Sequence, residues 1–136
     1  YSIGAGGASG NDPLSTHIKF KKVIDYDTSG SGSALFGNFI EYTYDPNAGT
    51  ITRTDLGTNQ SWIFRDIVLN ESPFEAGIFY TRLSNGNIVA IDPVIAGDNS
   101  PVYQTGNLVI VIKGQKQANA TVNVDYTLRE EVKIRN

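Results

Sequence analysis

The side chains that could carry out acid–base or nucleophilic chemistry are few and widely separated. His17 is the only histidine and the chain has no cysteine, so a Ser-His-Asp triad would depend on this one residue at the start of a predicted strand. A zinc site would need carboxylate ligands beside that histidine. No local motif supplies either arrangement, and the sequence favours an ordinary polar role for His17.

Acidic residues offer a possible cation site. Asp25 with Asp27, and Asp92 with Asp98 and Asn99, could supply the oxygen ligands that calcium takes at flexible geometry. Their spacing is not that of an EF-hand, and Asp and Asn side chains also cap turns. The sequence favours turn capping, with bound calcium as the alternative.

Paired carboxylates could also act on a glycosidic bond. Glu41 beside Tyr42, and Glu130 with Glu131, are the candidates. Neighbouring residues of a strand point to opposite faces, so neither pair can flank one bond. No glycine-rich phosphate loop is present either. The sequence therefore predicts no catalytic, cofactor-binding or metal site, and a protein that is not an enzyme.

Aromatic residues suggest a binding role instead, because flat rings with polar edges can contact sugars. The candidates are Trp62, Tyr42, Tyr44, Tyr80 and Tyr103. Tyrosines of a β domain also pack in the core and across strands. A secreted β-sandwich that binds carbohydrate or another surface ligand through exposed aromatics is therefore one functional alternative.

Composition sets further bounds. A chain of 136 residues is long enough to bury a core and is expected to form one domain. Its net charge of −3 argues against nucleic-acid binding, and the run Lys19 to Lys22 is interpreted as a solvated strand face. No stretch of the sequence has the length and apolarity of a membrane-spanning helix. The chain starts at Tyr1 and contains no methionine, which predicts a processed or truncated piece.

The chain is organised around a predicted hairpin. Residues 39–44 alternate, with Ile40, Tyr42 and Tyr44 on one face, and residues 50–54 return after a turn at 45–49. Residues 1–15 are predicted to be a flexible lead-in, and residues 16–136 a single β-rich domain.

Apolar alternation and turn residues predict the other strands. They are a first strand at 17–26, a buried segment at 62–69, a hairpin of 74–83 with 87–92 on a type I′ Asn-Gly turn, a loop at 93–106, a central strand at 107–113, a turn at 114–119, and strands at 120–128 and 131–136. Residues Val122, Val124, Tyr126, Leu128, Val132 and Ile134 are predicted to point inward. The fold class is mainly β.

Four stretches, in this order, resemble the globular head of type IV minor pilins and type II secretion pseudopilins of the W/J type. Residues 18–23 are similar to the family's hydrophobic-x-Phe-x-x-Val segment. Residues 40–53 are similar to its I-x-Y-x-Y-D hairpin, which returns as G-x-hydrophobic-x-R. Residues 78–88 resemble its next strand pair, and residues 132–136 its V-x-hydrophobic-R-N terminus.

The resemblance implies a pilin-like antiparallel β-sheet head carried on an N-terminal helix that precedes Tyr1. It implies a prepilin that becomes a structural subunit in filament assembly, part of a tip or priming complex. The partners would be other minor pilins or pseudopilins and the filament, reached through strand-edge and helix contacts. Membrane contact would come only through the helix. The head would lie in the cell envelope, exposed to the periplasm or the exterior, without catalysis or cofactors.

Overall fold

The fold is all-β in the part of the chain that the structure describes. A computed structural model describes residues 2–3, 15–91 and 107–133. Its strands are β1 (Ser2–Ile3), β2 (His17–Tyr26), β3 (Ala34–Asp45), β4 (Thr50–Asp55), β5 (Gln60–Phe64), β6 (Ile67–Val68), β7 (Phe79–Arg82), β8 (Ile88–Ala90), β9 (Asn107–Asn119) and β10 (Val122–Lys133). They form two antiparallel sheets without a helix among these residues, so the predicted mainly-β class is confirmed.

Sheet 1 has the strand order β1-β2-β3-β4-β5. The predicted hairpin forms its centre, with Tyr44 of β3 opposite Ile51 of β4. In the connecting turn, Asp45 Oδ1 accepts a hydrogen bond of 2.9 Å from the Asn47 N–H. Gly49 closes the turn at φ 62°, in the left-handed region that glycine adopts without strain. The predictions of this hairpin and of the first strand are confirmed.

Sheet 2 is built around β9, in the order β10-β9-β7-β8, and β6 also pairs with β9. Val109 and Val111 of β9 are buried. The continuous apolar run at 107–113 predicts a central strand covered on both faces, and this prediction is confirmed.

The two sheets are joined through the chain just before β2. The carbonyl of Ser15 accepts hydrogen bonds from the N–H groups of Ile78 and Phe79, at 2.8 and 2.9 Å. A Cβ at Gly77 would overlap the Ser15 backbone, so a side chain at residue 77 would force the two segments apart. This close approach ties the start of sheet 1 to β7 of sheet 2.

The core has two parts, one on each face of sheet 2. The larger part lies between the sheets and consists of Ile18, Tyr44, Ile51, Ile67, Ile78, Phe79, Ile91 and Leu108. The smaller part consists of Tyr80, Val109 and Val111, packed with Phe74, Ile88 and Ala90. The middle of β9 is therefore covered on both sides.

The second predicted hairpin exists, but its details differ from the prediction. β7 begins at Phe79 rather than at residue 74. The predicted type I′ turn is wrong, because Gly86 has a positive φ of 88° whereas Asn85 does not. Gly86 N–H donates to the Leu83 carbonyl at 2.9 Å, and Leu83 N–H donates to the Asn87 carbonyl at 2.7 Å. This is a three-residue loop that ends on a left-handed glycine.

The predicted turn at 114–119 is also wrong. β9 continues to Asn119, and the chain reverses at Ala120 and Thr121. Gly114 suggested a break, but it lies opposite Tyr126 of β10, and a Cβ at residue 114 would overlap the Tyr126 ring. Glycine makes room here for a cross-strand aromatic ring. The strands predicted at 120–128 and 131–136 are a single strand over the described residues.

The burial predicted for residues 62–69 is wrong for most of the segment. All of β5 is exposed, including Trp62, Ile63 and Phe64, whereas Ile67 is buried. β5 is the last strand of sheet 1. Apolar residues on both faces of a strand are compatible with burial, but burial also requires another layer of the fold to pack on the strand.

Two predictions fall largely outside the described residues. In the lead-in predicted at 1–15, Ser2 and Ile3 pair with Lys21 and Phe20 of β2, and residues 4–14 are not described. The loop predicted at 93–106 is not described either.

Candidate functional site

His17 forms a hydrogen bond between neighbouring strands. Its Nε2 atom is 2.8 Å from Glu41 Oε1, and both side chains are partly buried. The pair connects β2 to β3. The other predicted acid candidate, Glu131, is bound by Arg82 Nη2 at 2.7 Å. These side chains therefore link strands to each other.

Of the acidic residues considered for calcium, Asp27 organises its own turn. Its carboxylate accepts hydrogen bonds from the Ser29 N–H at 2.8 Å and the Ser31 hydroxyl at 2.7 Å. The hydrogen bonds from Ser29 lower the pKa of Asp27. Asp25 accepts a hydrogen bond from the Tyr26 N–H. The described residues contain no group of three or more acidic or histidine side chains placed to hold a metal ion.

The second acidic group, Asp92, Asp98 and Asn99, lies outside the described residues.

Two of the predicted sugar-binding tyrosines are buried. Tyr44 and Tyr80 are 4% and 2% exposed, and burial raises the pKa of each hydroxyl. The Tyr80 hydroxyl donates to the Gly77 carbonyl at 3.0 Å, and its ring packs edge-on against Phe74. These two rings belong to the core and cannot present a face to a sugar.

The remaining aromatic candidates are dispersed. Tyr42 is partly buried and stacks on Phe20 with ring centroids 5.9 Å apart. Trp62 is exposed, and the Arg53 guanidinium lies over its ring at 4.6 Å. Tyr103 lies outside the described residues. The four candidate rings in the described part of the chain do not form one exposed platform.

An apolar cleft lies between the inner faces of the two sheets, with a volume of about 450 Å³. Its walls include Phe20, Tyr42 and Phe64 of sheet 1 and Phe79, Ile110 and Ile112 of sheet 2. All of the lining side chains are aliphatic or aromatic. The cleft is therefore suited to apolar groups, because a charged or strongly polar group buried there would lose its hydration without gaining a partner.

The inner row of β10 extends this apolar surface. Val122, Val124, Tyr126 and Leu128 lie on one face of the strand, and Leu128 is opposite the cleft residue Ile112. The predicted alternation is present, but the predicted burial is wrong, because these side chains are about half exposed. Val132 lines the cleft and is 37% exposed, and Ile134 is outside the described residues.

This cleft is the feature that sequence reasoning missed. The alternation of β3 and β10 predicts two apolar faces that turn inward, and those faces do lie on the inner side of each sheet. Whether the faces meet or stay apart depends on how the sheets are joined at Ser15. No local signal in the sequence carries that information.

Comparisons of the chain with protein-family models, with curated proteins and with solved structures found no match. No helix long and apolar enough to cross a membrane occurs among the described residues. The class of protein defined by fold and site is therefore a two-sheet, all-β protein with an apolar cleft.

Proposed function

We propose that this protein is a non-enzymatic structural subunit, a minor pilin or pseudopilin of a type IV pilus or type II secretion filament. The observation that carries the proposal is the apolar surface formed by the inter-sheet cleft and the inner row of β10. The resemblance of four stretches in residues 18–136 to the head of minor pilins supports this choice of family.

An apolar surface of this extent favours contact with another polypeptide. Exposed apolar patches of large area mark interaction sites, and the cleft runs into a half-exposed row on β10. Phe64 on the opposite wall is also 51% exposed. An amphipathic helix binds such a groove by inserting its apolar face.

The proposal accounts for what would occupy the cleft. A pilin head is carried on an N-terminal helix and contacts neighbouring subunits, so an apolar segment of a neighbour or of that helix would bury the cleft walls. The partners are other minor pilins or pseudopilins and the filament. The head is exposed to the periplasm or the exterior, and only the helix contacts the membrane.

The proposal is tested with two neighbouring residues of β5 that have nearly equal exposure. Phe64 lines the cleft and is 51% exposed, whereas Ile63 points to the other face and is 54% exposed. Phe64→Asp places a charge in the docking surface and is expected to abolish co-purification with the neighbouring minor subunits. Ile63→Asp introduces the same charge outside the cleft and is expected to leave co-purification intact.

Equal effects of these two variants would contradict a docking role for the cleft. The filament class is tested separately by the N-terminal sequence of the full-length precursor. A prepilin cleavage site followed by an apolar helix of about 20 residues is the expected result. A plain secretory signal joined to Tyr1 would overturn the pilin assignment.

A further inference from the structure

We propose that two copies of this chain pair through β10, as antiparallel strands related by a two-fold axis at Thr127. The resulting dimer would join two copies of sheet 2 into one continuous sheet. The proposal does not depend on the filament function, because it rests on the backbone edge and the charges of β10, whereas the filament proposal rests on the cleft and the inner row of β10.

β10 is the longest free strand edge among the described residues. It has 12 residues, all exposed, and it ends the strand order of sheet 2. The other terminal strands are much shorter, with five residues in β5, three in β8 and two in β1. A long exposed edge is a template for pairing with another strand.

The backbone of β10 directs alternate polar groups toward this free edge. Val111 N–H donates to the Ile78 carbonyl at 3.0 Å, so the backbone polar groups of Val111 point away from β10. Arg129 lies opposite Val111, and in an antiparallel ladder the groups of such a residue point away from the partner strand. Asp125 and Thr127, which alternate with Arg129, share this orientation. No other described strand pairs with this edge, so their N–H and C=O groups are available to a second copy.

The charges of β10 favour an axis at Thr127 over one at Leu128. A two-fold axis perpendicular to the sheet places one residue opposite its own copy. With Thr127 at the axis, Asp125 of each copy lies opposite Arg129 of the other. A shift of the axis to Leu128 would instead place Asp125 opposite Glu131. Opposite charges stabilise cross-strand pairs, and like charges destabilise them.

The apolar residues and the strand length agree with the same register. With Thr127 at the axis, Tyr126 lies opposite Leu128 and Val122 lies opposite Val132, whereas Val124 lies opposite Glu130. Thr127 is also near the middle of β10, so this register pairs almost the whole strand. The inner row of one copy would then continue into that of the other.

The charged pair also has contacts within each chain. Asp125 Oδ1 accepts a hydrogen bond of 2.8 Å from Gln115, and its Oδ2 is 3.3 Å from Lys113 Nζ. Arg129 lies over the Phe74 ring at 5.5 Å. Both side chains are exposed, and a carboxylate can accept several hydrogen bonds. The contacts therefore leave room for a partner across the interface.

Cysteine cross-linking tests the register directly, because the chain has no native cysteine. In Thr127→Cys the two thiols would lie opposite each other, at the Cα separation of about 5.5 Å that a disulfide spans. We expect rapid formation of a disulfide-linked dimer under mild oxidation. Asn123→Cys is the control, since residue 123 lies opposite Glu131 and not its own copy. Equal cross-linking of both variants, or none of Thr127→Cys, would overturn the proposal.

Charge exchange tests the pairing in solution by sedimentation. Asp125→Arg and Arg129→Asp each create two pairs of like charges, and each is expected to weaken dimerisation by about tenfold or more. The double variant restores two opposite-charge pairs and should regain the dimer. Within one chain the two positions are about 13 Å apart along the strand, so rescue must come from the other copy. A monomeric parent chain, or no rescue, would refute the proposal.

Discussion

β9 and β10 are neighbouring strands with similar apolar content, but β9 is buried near its middle and β10 is exposed. Val109 of β9 is fully buried, whereas Val124 of β10 is 51% exposed. β9 has a strand on each side and a packed layer on each face near its middle. Among the described residues β10 has one neighbouring strand, and its inner row extends past the core. The comparison shows that an apolar pattern determines which way a side chain points but not what covers it.

The cover of β9 depends on polar anchors as well as on packing. Residues 70–78 lie beside the strand and are held there by Asn70, whose side chain donates to the carbonyls of Gly77 and Val111 at 2.9 and 2.8 Å. Asn70 is itself buried. β10 has no such segment beside it among the described residues. Removing Asn70 should therefore loosen the segment at 70–78 from β9 and make β9 less well covered, as β10 is.

Asn70→Ala is expected to have the largest effect on stability. The substitution removes two hydrogen bonds and leaves the Val111 carbonyl without this donor, at a cost of about 3 kcal/mol in the free energy of unfolding. Urea denaturation followed by circular dichroism would measure it. Asn123→Ala, on exposed β10, serves as the control and should change the value by less than about 0.5 kcal/mol. A similar small change in both would show that the segment at 70–78 does not depend on Asn70.

The same substitution in the two strands tests the comparison itself. Val109→Ala deletes two buried methyl groups and leaves a cavity, which should cost about 2 kcal/mol. Val124→Ala deletes the same groups from an exposed side chain and should cost less than about 0.5 kcal/mol. The measurement is again the free energy of unfolding. A large cost at Val124 in the isolated chain would mean that something covers the inner row of β10.

Sequence reasoning succeeded where the local pattern and the local environment coincide. The hairpin of β3 and β4 has alternating apolar residues and its own turn chemistry at Asp45 and Gly49, so both its existence and its register follow from nearby residues. β10 shows equally clean alternation, yet its burial depended on a distant layer. Gly114 was misread because its function is to accommodate a ring from the next strand. Neither cause is visible within one segment.

The candidate site was less predictable than the fold for the same reason. Residue types correctly assigned Asp27 to turn capping, because an Asx turn is a local structure. The apolar cleft combines residues of both sheets and depends on the junction at Ser15 and Gly77. Such a long-range arrangement leaves no signature in spacing or composition.

Removing one tyrosine hydroxyl from each region compares buried and exposed positions through a smaller change. Tyr80 is buried, and its hydroxyl both donates to the Gly77 carbonyl and accepts from the Gly77 N–H, at 3.0 and 3.2 Å. Tyr80→Phe should lower the free energy of unfolding by about 1 kcal/mol. Tyr126→Phe removes a hydroxyl from an exposed ring on β10 and should have no measurable effect. If Tyr80→Phe is also neutral, the hydroxyl does not help to hold residues 70–78 on β9.

The smallest expected effect concerns the charged contact that ties β10 back to β7. Arg82 donates to Glu131 from Nε at 2.9 Å and from Nη2 at 2.7 Å, and Asn107 adds a bond of 2.9 Å. The hydrogen bond from Arg82 lowers the pKa of Glu131 in the folded chain. The contact between Arg82 and Glu131 therefore contributes fully to stability above the unfolded pKa of a glutamate, about 4.3. This contribution declines as the pH falls through the lower pKa that Glu131 has in the folded chain.

Glu131→Gln isolates this contribution from that of the other carboxylates. The parent chain should lose stability on acidification below about pH 4, and the variant should lose less over the same interval, because residue 131 no longer titrates. The unfolding midpoint in urea, measured against pH for both proteins, gives the difference. Since the pair is solvent-exposed, the difference should be small and should shrink further in high salt. Parallel pH profiles would show that β10 is held to sheet 2 by its ladder with β9, without help from Arg82.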